Sequence, residues 1–341
     1  MIQFRKNRKG GHIEMIINRV NTNNLTDNNI QDLYLANNLI IEKYNFLKRF
    51  RNVSEYKDLF LSAFVGSDNE LFIIENASLI CGILSFVKST DWNGKARYKL
   101  TIHLCDLIIG KSLISCLSEF IDKKLMQHCE FAITTYNNEL IDLITKYSYN
   151  VHLKGNIYTL KKEDIDINLL NKSIGEYQEK NRNIHMVYAD VIKEDHIEQY
   201  CNLFVKTAED MPDEKEDGYV RYIITPEKQR QINESNAKRN ITHHCYMAFN
   251  SKNEMIAKTN LSVNNSDTRF PYQFMIGVTR EYRGKSLGKW LYAAMYKKLF
   301  ESTEFEKTMV VHHPENKSSI SISKWVGYKF NYLEVTYLIN K

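Results

Sequence analysis

The residues best suited to chemistry lie in one short stretch. Arg283-Gly-Lys-Ser-Leu-Gly288 follows an apolar run, Tyr272–Val278, and leads into a helical pattern that starts at about Leu287. The first backbone N–H groups of a helix have no partner within it and point outward with the positive end of the helix dipole. A diphosphate suits such an end. Gly284, Ser286 and Gly288 are small enough to let it approach the backbone, and Arg283 and Lys285 add charge nearby. Gly277, inside the apolar strand, marks a bulge or a close approach by a ligand. The letters Gly-Lys-Ser also occur in P-loops, but that loop needs a glycine five residues before its Gly-Lys pair. Thr279 stands there, so the P-loop reading fails. Taken alone, the hexapeptide could equally be a strand-to-helix turn that binds nothing.

The elements that must carry this loop occur twice. In the second half, strand His185–Val191 precedes helix His196–Ala208, an acidic loop and a helix opened by Pro226, as proline at a first helical turn should. A hairpin follows, Cys245–Phe249 and Met255–Val263. Then come strand Tyr272–Val278, helix Leu287–Glu301, strand Thr308–Val311, helix Lys317–Val326 and a last strand near Tyr332–Ile339. The first half has the same order, from a strand at Met15–Val20 and a helix at Ile30–Phe50 to a strand at Val151–Leu160. The letters repeat as well: Tyr98–Leu104 aligns with Tyr272–Val278, and Gly110-Lys-Ser-Leu113 with Gly284-Lys-Ser-Leu287, at the same offset. A duplicated domain is the simplest cause. Ile109 and Ile114 replace Arg283 and Gly288 in the first copy, which is therefore expected to be structural. The expected organisation is a degenerate N-terminal domain over 13–162, a polar linker with a helical part over 163–184 and a catalytic domain over 185–341.

Arg283–Gly288 resembles the acyl-CoA pyrophosphate loop of the GNAT superfamily of N-acetyltransferases, Q/R-x-x-G-x-G/A. Thr308–Tyr328 is similar to the rest of that family's cofactor half, in which a strand ends near an Asn and a Gly-aromatic pair follows 11 residues later; here these are Asn316, Gly327 and Tyr328. With the repeat, the chain looks like a tandem GNAT protein, in the manner of mycothiol synthase and related two-domain acetyltransferases. The resemblance implies an α+β fold (an α/β/α sandwich) of two GNAT-like domains, each a mixed, mostly antiparallel sheet flanked by helices. It also implies acetyl-CoA as co-substrate, with no metal. The pantetheine arm would lie between two parallel strands, bonding to Ile276 and Val278 beside Gly277. The diphosphate would rest on Gly284, Lys285, Ser286, Leu287, Gly288 and Lys289 after Arg283, with Asn316 touching the cofactor or holding its strand.

The implied reaction is direct transfer in a ternary complex: a neutral amine attacks the thioester while a backbone N–H near Val278 stabilises the oxyanion. His312, His313 and Glu281 are the candidate bases. Ser323 stands where many family members place a tyrosine that protonates the leaving thiolate. Six acids between Glu209 and Asp217, including Glu209, Asp210 and Asp213, would rim the acceptor site and attract a cationic small-molecule amine, such as an amino sugar, a polyamine or an amino-containing antibiotic. Two other readings are a CoA-binding sensor without activity and a tandem-GNAT peptidoglycan aminoacyltransferase. The intact loop and the lack of a long charged helical arm count against the latter.

Composition bounds the partners. Against 41 acidic residues stand 46 basic ones, a formal net charge of +5, too mild over 341 residues to argue for nucleic acid. No apolar run reaches the ~18 residues of a membrane span, and a polar Gly10-Gly11-His12 follows the basic N-terminus where a signal peptide would be apolar. The six cysteines form no CxxC pair, consistent with reduced thiols. A cytoplasmic monomer or homodimer that binds neither nucleic acid nor membrane is expected.

Overall fold

Two compact units emerge from the chain, and neither is a continuous stretch of sequence. The structure is a computed structural model that describes residues 15–44, 50–76, 79–90, 96–105, 111–128, 130–145, 151–212 and 224–340. Unit 1 comprises Met1–Asn150 together with Thr336–Lys341, and unit 2 comprises Val151–Val335.

Unit 1 contains β1 (Met15–Arg19), α1 (Asp27–Tyr44), α2 (Val53–Leu59), β2 (Glu70–Asn76), β3 (Leu79–Thr90), β4 (Ala96–Leu104), α3 (Lys111–His128), β5 (Glu130–Thr135) and α4 (Asn138–Thr145). In α1 the residues Ile30, Leu33, Ala36, Ile40 and Ile41 recur at helical spacing and are buried against Leu71 and Ile83. Helix α2, which the sequence reading passed over, starts where the Asn52 side chain accepts the Glu55 N–H. Strands β1 to β4 form an antiparallel meander. Strand β5 lies parallel to β4 through four consecutive pairs, from Lys99↔Ala132 to Ile102↔Thr135.

Unit 2 contains β6 (Val151–Lys161), α5 (Ile167–Lys180), β7 (His185–Ala189), α6 (Glu194–Ala208), α7 (Pro226–Lys238), β8 (Ile241–Phe249), β9 (Met255–Asn264), β10 (Asp267–Val278), α8 (Leu287–Ser302), β11 (Lys307–His312), α9 (Lys317–Val326) and the start of β12 (Lys329–Asn340). Its strands neighbour one another in the order β7, β8, β9, β10, β11, β6. Helix α8 packs Tyr292, Met295, Tyr296 and Leu299 into the core. The element order of the first half recurs in the second, as the repeat predicts, and the mixed sheets flanked by helices are the expected α+β class.

The expected domain limits need correction. Strand β6 belongs to unit 2, where it pairs antiparallel with β11 from Lys307↔Lys161 to His312↔Asn156. The stretch expected to be a linker is also part of unit 2. Asp166 caps α5 by accepting the Asn168 and Leu169 N–H groups at 3.0 Å. Behind polar neighbours, Leu170, Ile174 and Tyr177 are spaced to share one face of α5. Leu170 and Tyr177 are buried. The end of β12, in turn, is grouped with unit 1, where Thr336 Oγ1 and Thr134 Oγ1 are 2.8 Å apart. Among the described residues, no helix is long and apolar enough to cross a membrane.

Candidate functional site

A cleft of about 660 Å³ in unit 2 is lined by the C-terminal half of β10, the end of β11, the starts of α8 and α9, and the end of α6. Its shape follows from the irregularity of β10 that lies nearest to it. In the antiparallel ladder of β10 with β9, Gln273 pairs with Leu261 and Met275 with Asn260, so Phe274 is an extra residue. Such a bulge bends the strand and raises its twist. Strand β10 then pairs with parallel β11 at one place, Tyr272↔Met309, although both strands continue, to Val278 and His312. The two strands part beyond the bulge. Phe274 itself is thrown outward, 47% exposed, with its ring edge-on to Tyr272.

The bulge also sets which backbone groups face the opening. Thr279 N–H donates to Ile256 O at 2.9 Å on the β9 side. In an antiparallel ladder this orientation alternates, so Gly277 faces β9 while Ile276 and Val278 present their N–H and C=O groups to the cleft. The Val278 carbonyl accepts from Arg283 Nε at 3.0 Å, in keeping with that assignment. Gly277 lines the cleft but is not itself the bulge. The bulge lies three residues earlier, and a Cβ on Gly277 would stand 2.7 Å from Thr207 Oγ1. Its missing side chain admits α6, on which Thr207 Oγ1 donates back to Leu203 O at 2.8 Å.

The loop between the strand and α8 begins with a short 3-10 turn, Arg280–Tyr282, followed by Gly284 at φ +76°. Ser286 is the residue before the helix and adopts φ 61°, ψ 14°, the left-handed region, with no side-chain cap on the amides beyond it. The Leu287, Gly288 and Lys289 N–H groups therefore begin a helix whose end carries no internal anion. Gly288 is buried and lies so close to α9 that a Cβ there would be 2.7 Å from Ile322 Cδ1. A non-glycine residue in the left-handed region costs roughly 1–2 kcal/mol. Ser286→Gly is thus expected to stabilise unit 2 by about 1 kcal/mol in thermal or urea unfolding. Equal or lower stability would show that the serine side chain compensates for the strain.

The structure separates the other predicted site residues. Asn316 lines the cleft and caps α9 by accepting the Ser319 N–H at 3.2 Å. His312 borders the cleft but is buried, and its Nε2 is bonded to the buried Ser323 Oγ at 2.7 Å. Burial lowers the His312 pKa to about 4, so its imidazole is neutral at pH 7. Ser323, the position of the family's tyrosine, is sealed from solvent and is not part of the cleft wall. His313 does line the cleft, is partly exposed, and accepts the Glu315 N–H on Nδ1 at 3.2 Å. Glu281 is exposed on the 3-10 turn and does not line the cleft. Lys285 is also outside the wall, its ammonium 4.7 Å from the centre of the Tyr282 ring. Of the expected acidic rim, Asp213 and everything to residue 223 lie outside the described residues, and Glu209 is exposed away from the cleft. Asp210 is in the wall, but its carboxylate is taken by Arg280 and Arg283. That charge-paired setting is not the open anionic rim expected of it. Among the described residues, no group of three or more His, Cys, Asp or Glu side chains could hold a metal ion.

Residues 206–328, which contain the cleft and its loop, match the sequence profile of the acetyltransferase (GNAT) family. Unit 2 carries a GNAT domain. Over nearly its whole length the chain has the tandem GNAT fold. A tandem GNAT protein from the clavulanic acid biosynthesis pathway superposes with a TM-score of 0.56 at 11% identity, covering 96% of this chain and 98% of the other. A GCN5-related N-acetyltransferase from Sphaerobacter thermophilus gives 0.59 at 8% identity, covering 96% and 95%. A GCN5-related glucosamine N-acetyltransferase region of a fungal multi-domain β-N-acetylglucosaminidase gives 0.56 at 11% identity, covering 96% of this chain and 38% of that one. No curated protein matches the chain in sequence. At such identities the structural likeness establishes the fold, while the family match of the GNAT domain supports acyl transfer as the class of reaction.

Proposed function

We propose that the GNAT domain transfers the acetyl group of acetyl-CoA to the amine of a small molecule. One observation carries this reading: two parallel strands that separate after a bulge, with backbone groups of Ile276 and the Val278 N–H turned to the cleft, in a slot that ends at the uncapped start of α8. The fit to the cofactor is chemical. A pantetheine arm carries amide donors and acceptors that can pair with a strand edge as another strand would, and a diphosphate suits bare amides at a helix end. The cleft volume is within the range of small-molecule sites.

Acetyl-CoA would supply an activated acyl carbon; the chain's own groups orient it. With the diphosphate at Gly284–Lys289, the thioester lies toward the bulge, at the far end of the arm. Ile276 N–H, two residues or about 7 Å nearer the bulge than Val278, is therefore the better donor to the developing oxyanion, with Val278 holding the arm. His313 combines a place on the cleft wall with partial exposure, and would act as the proton acceptor once its Nδ1 gives up the Glu315 N–H. The exposed Phe274 ring, next to Tyr272, offers the acceptor an apolar shelf. A cationic amine remains our proposed acceptor class, drawn by the acidic sequence that follows α6.

The burial of Ser323 favours a second reading, in which the domain binds CoA as a sensor, because the usual position of the thiol's proton donor is closed. Calorimetric titration with acetyl-CoA and CoA tests both; if neither ligand binds, both readings fall. Release of free thiol across a library of amines then separates enzyme from sensor. Gly288→Glu places a carboxylate among the amides and a side chain against Ile322, and is expected to weaken acetyl-CoA binding by about a hundredfold. Ile114→Glu, the same change in unit 1, is expected to leave the affinity unaltered. Equal effects from the two changes would remove α8 as the phosphate site.

A further inference from the structure

Asp210 lies two residues beyond the end of α6, and its side chain is 13% exposed beneath two guanidinium groups that are themselves 73% and 45% exposed. Arg280 Nε donates to Oδ1 at 2.8 Å, and Arg280 Nη2 donates to the same oxygen. Arg283 Nη2 donates to Oδ2, while its Nε is held by the Val278 carbonyl. The bonds from Arg280, and then those from Arg283, keep the carboxyl below the usual carboxylate range, so it is an anion at neutral pH. An isolated surface ion pair contributes little. One acid shared by two arginines is different: it is how guanidinium groups bind a phosphate. Here that acid belongs to the protein. Asp210 and Arg283 both line the cleft, beside the helix end that has no anion of its own.

We infer that Asp210 is a stand-in for phosphate, holding Arg280 and Arg283 until the cofactor's diphosphate takes them, so that cofactor binding and the Asp210 clamp exclude each other. This rests on the acyl-CoA reading and adds a conformational step to it. The carboxylate repels incoming phosphates and occupies their partners, which sets the affinity of the loop below what its positive groups could reach. The clamp also ties the turn after α6, Glu209–Met211, to the loop after β10. Once the diphosphate claims the arginines, that tie is lost and the turn is free to move. Thr207, Asp210 and Met211 form this part of the cleft wall, so the cofactor would enter first and loosen the wall through which the acceptor follows.

The alternative is that Asp210 simply orients the arginines for the phosphates, and it predicts the opposite sign. CoA affinity is measured by calorimetry for the full chain and for Asp210→Asn, Asp210→Ser and Glu315→Gln, at low and high salt. Glu315 is a nearby exposed acid bonded to neither arginine. Both Asp210 variants are expected to bind CoA roughly fivefold more tightly at low ionic strength, with the gain shrinking as salt screens the charge. Glu315→Gln is expected to stay within about twofold of the parent. Hydrogen exchange of the parent should show the turn after α6 losing protection when CoA is added. Unchanged or weaker binding by the Asp210 variants overturns the inference, as does an equal gain from Glu315→Gln. If the parent chain does not bind CoA at all, the acyl-CoA reading itself has failed, an outcome distinct from these.

Discussion

A chain that stops at Val335 is expected to lose the fold of unit 1 and keep that of unit 2. The six residues removed include the last five of β12, Thr336–Asn340, in which Tyr337 and Ile339 are buried to 2% and 0% exposure. Each such side chain contributes about 1.5–3 kcal/mol, and the Thr336–Thr134 hydrogen bond adds about 1 kcal/mol. Together that is about 4–7 kcal/mol, against the ~5–15 kcal/mol that holds a domain of this kind folded, enough to bring unit 1 to the edge of unfolding. The cut also leaves the β5 edge unpaired, a template for aggregation. Hydrogen exchange read by mass spectrometry is the measurement: protection should vanish in β2 to β5 and persist in α8 and β9. Uniform loss, or none, would mean that the last residues do not belong to unit 1 in solution.

The second large effect concerns a lysine that the proposed chemistry does not use. Lys258 is fully buried, its Nζ has no hydrogen-bond partner, and it lies 3.5 Å from the centre of the Tyr200 ring and 4.6 Å from that of Phe204. Burial lowers its pKa from 10.5 to about 7. The folded chain therefore resists a proton that the unfolded chain accepts. Below pH 7 both states hold it and the penalty is complete; between pH 7 and 10.5 the unfolded state binds more protons, and stability rises with pH. At ~1.4 kcal/mol per pH unit the penalty is about 5 kcal/mol, of which the two rings return about 2 kcal/mol. Lys258→Met, similar in shape and well suited to aromatic neighbours, is expected to stabilise unit 2 by about 3 kcal/mol at pH 7. The gain should fade as pH approaches 10.5. The nearby thiol of Cys245, pushed up to about 12 by burial, titrates in the opposite sense but is common to both proteins. Urea unfolding of the pair from pH 6 to 10 decides the matter. A constant difference, or a less stable variant, would show that the lysine is better solvated than its surroundings imply.

What could be read from the letters depended on how local the physics is. The start of α8 was legible because a strand, two glycines and a helical pattern occur within about 20 residues. Gly284 and Ser286 indeed have the positive φ angles that small residues favour there. That α5 packs into unit 2 was hidden, though a helical part was expected there: charged residues dominate its composition, and only the spacing of Leu170, Ile174 and Tyr177 reveals an inner face. The bulge was not legible. Phe274 reads as one more apolar strand residue, and nothing local says that it lacks a partner in β9. The clamp on Asp210 joins residues 70 and 73 positions apart, which no periodicity can report. The end of β11 marks His312 as a candidate base, but its bond to Ser323, which buries most of the ring although it borders the cleft, is a contact across 11 residues that the letters do not show.

The division of β12 has a consequence for synthesis. Domains nearer the N-terminus ordinarily finish folding first as the ribosome extends the chain. Here the first unit waits for Thr336–Asn340, and all of Val151–Val335 must be made before they exist. At ordinary translation speeds of ~5–20 residues per second that delay is about 10–40 s. Throughout it β5 has no neighbour on its outer side, so this edge stays open while unit 2 is being made, and a holding chaperone would have most to protect there.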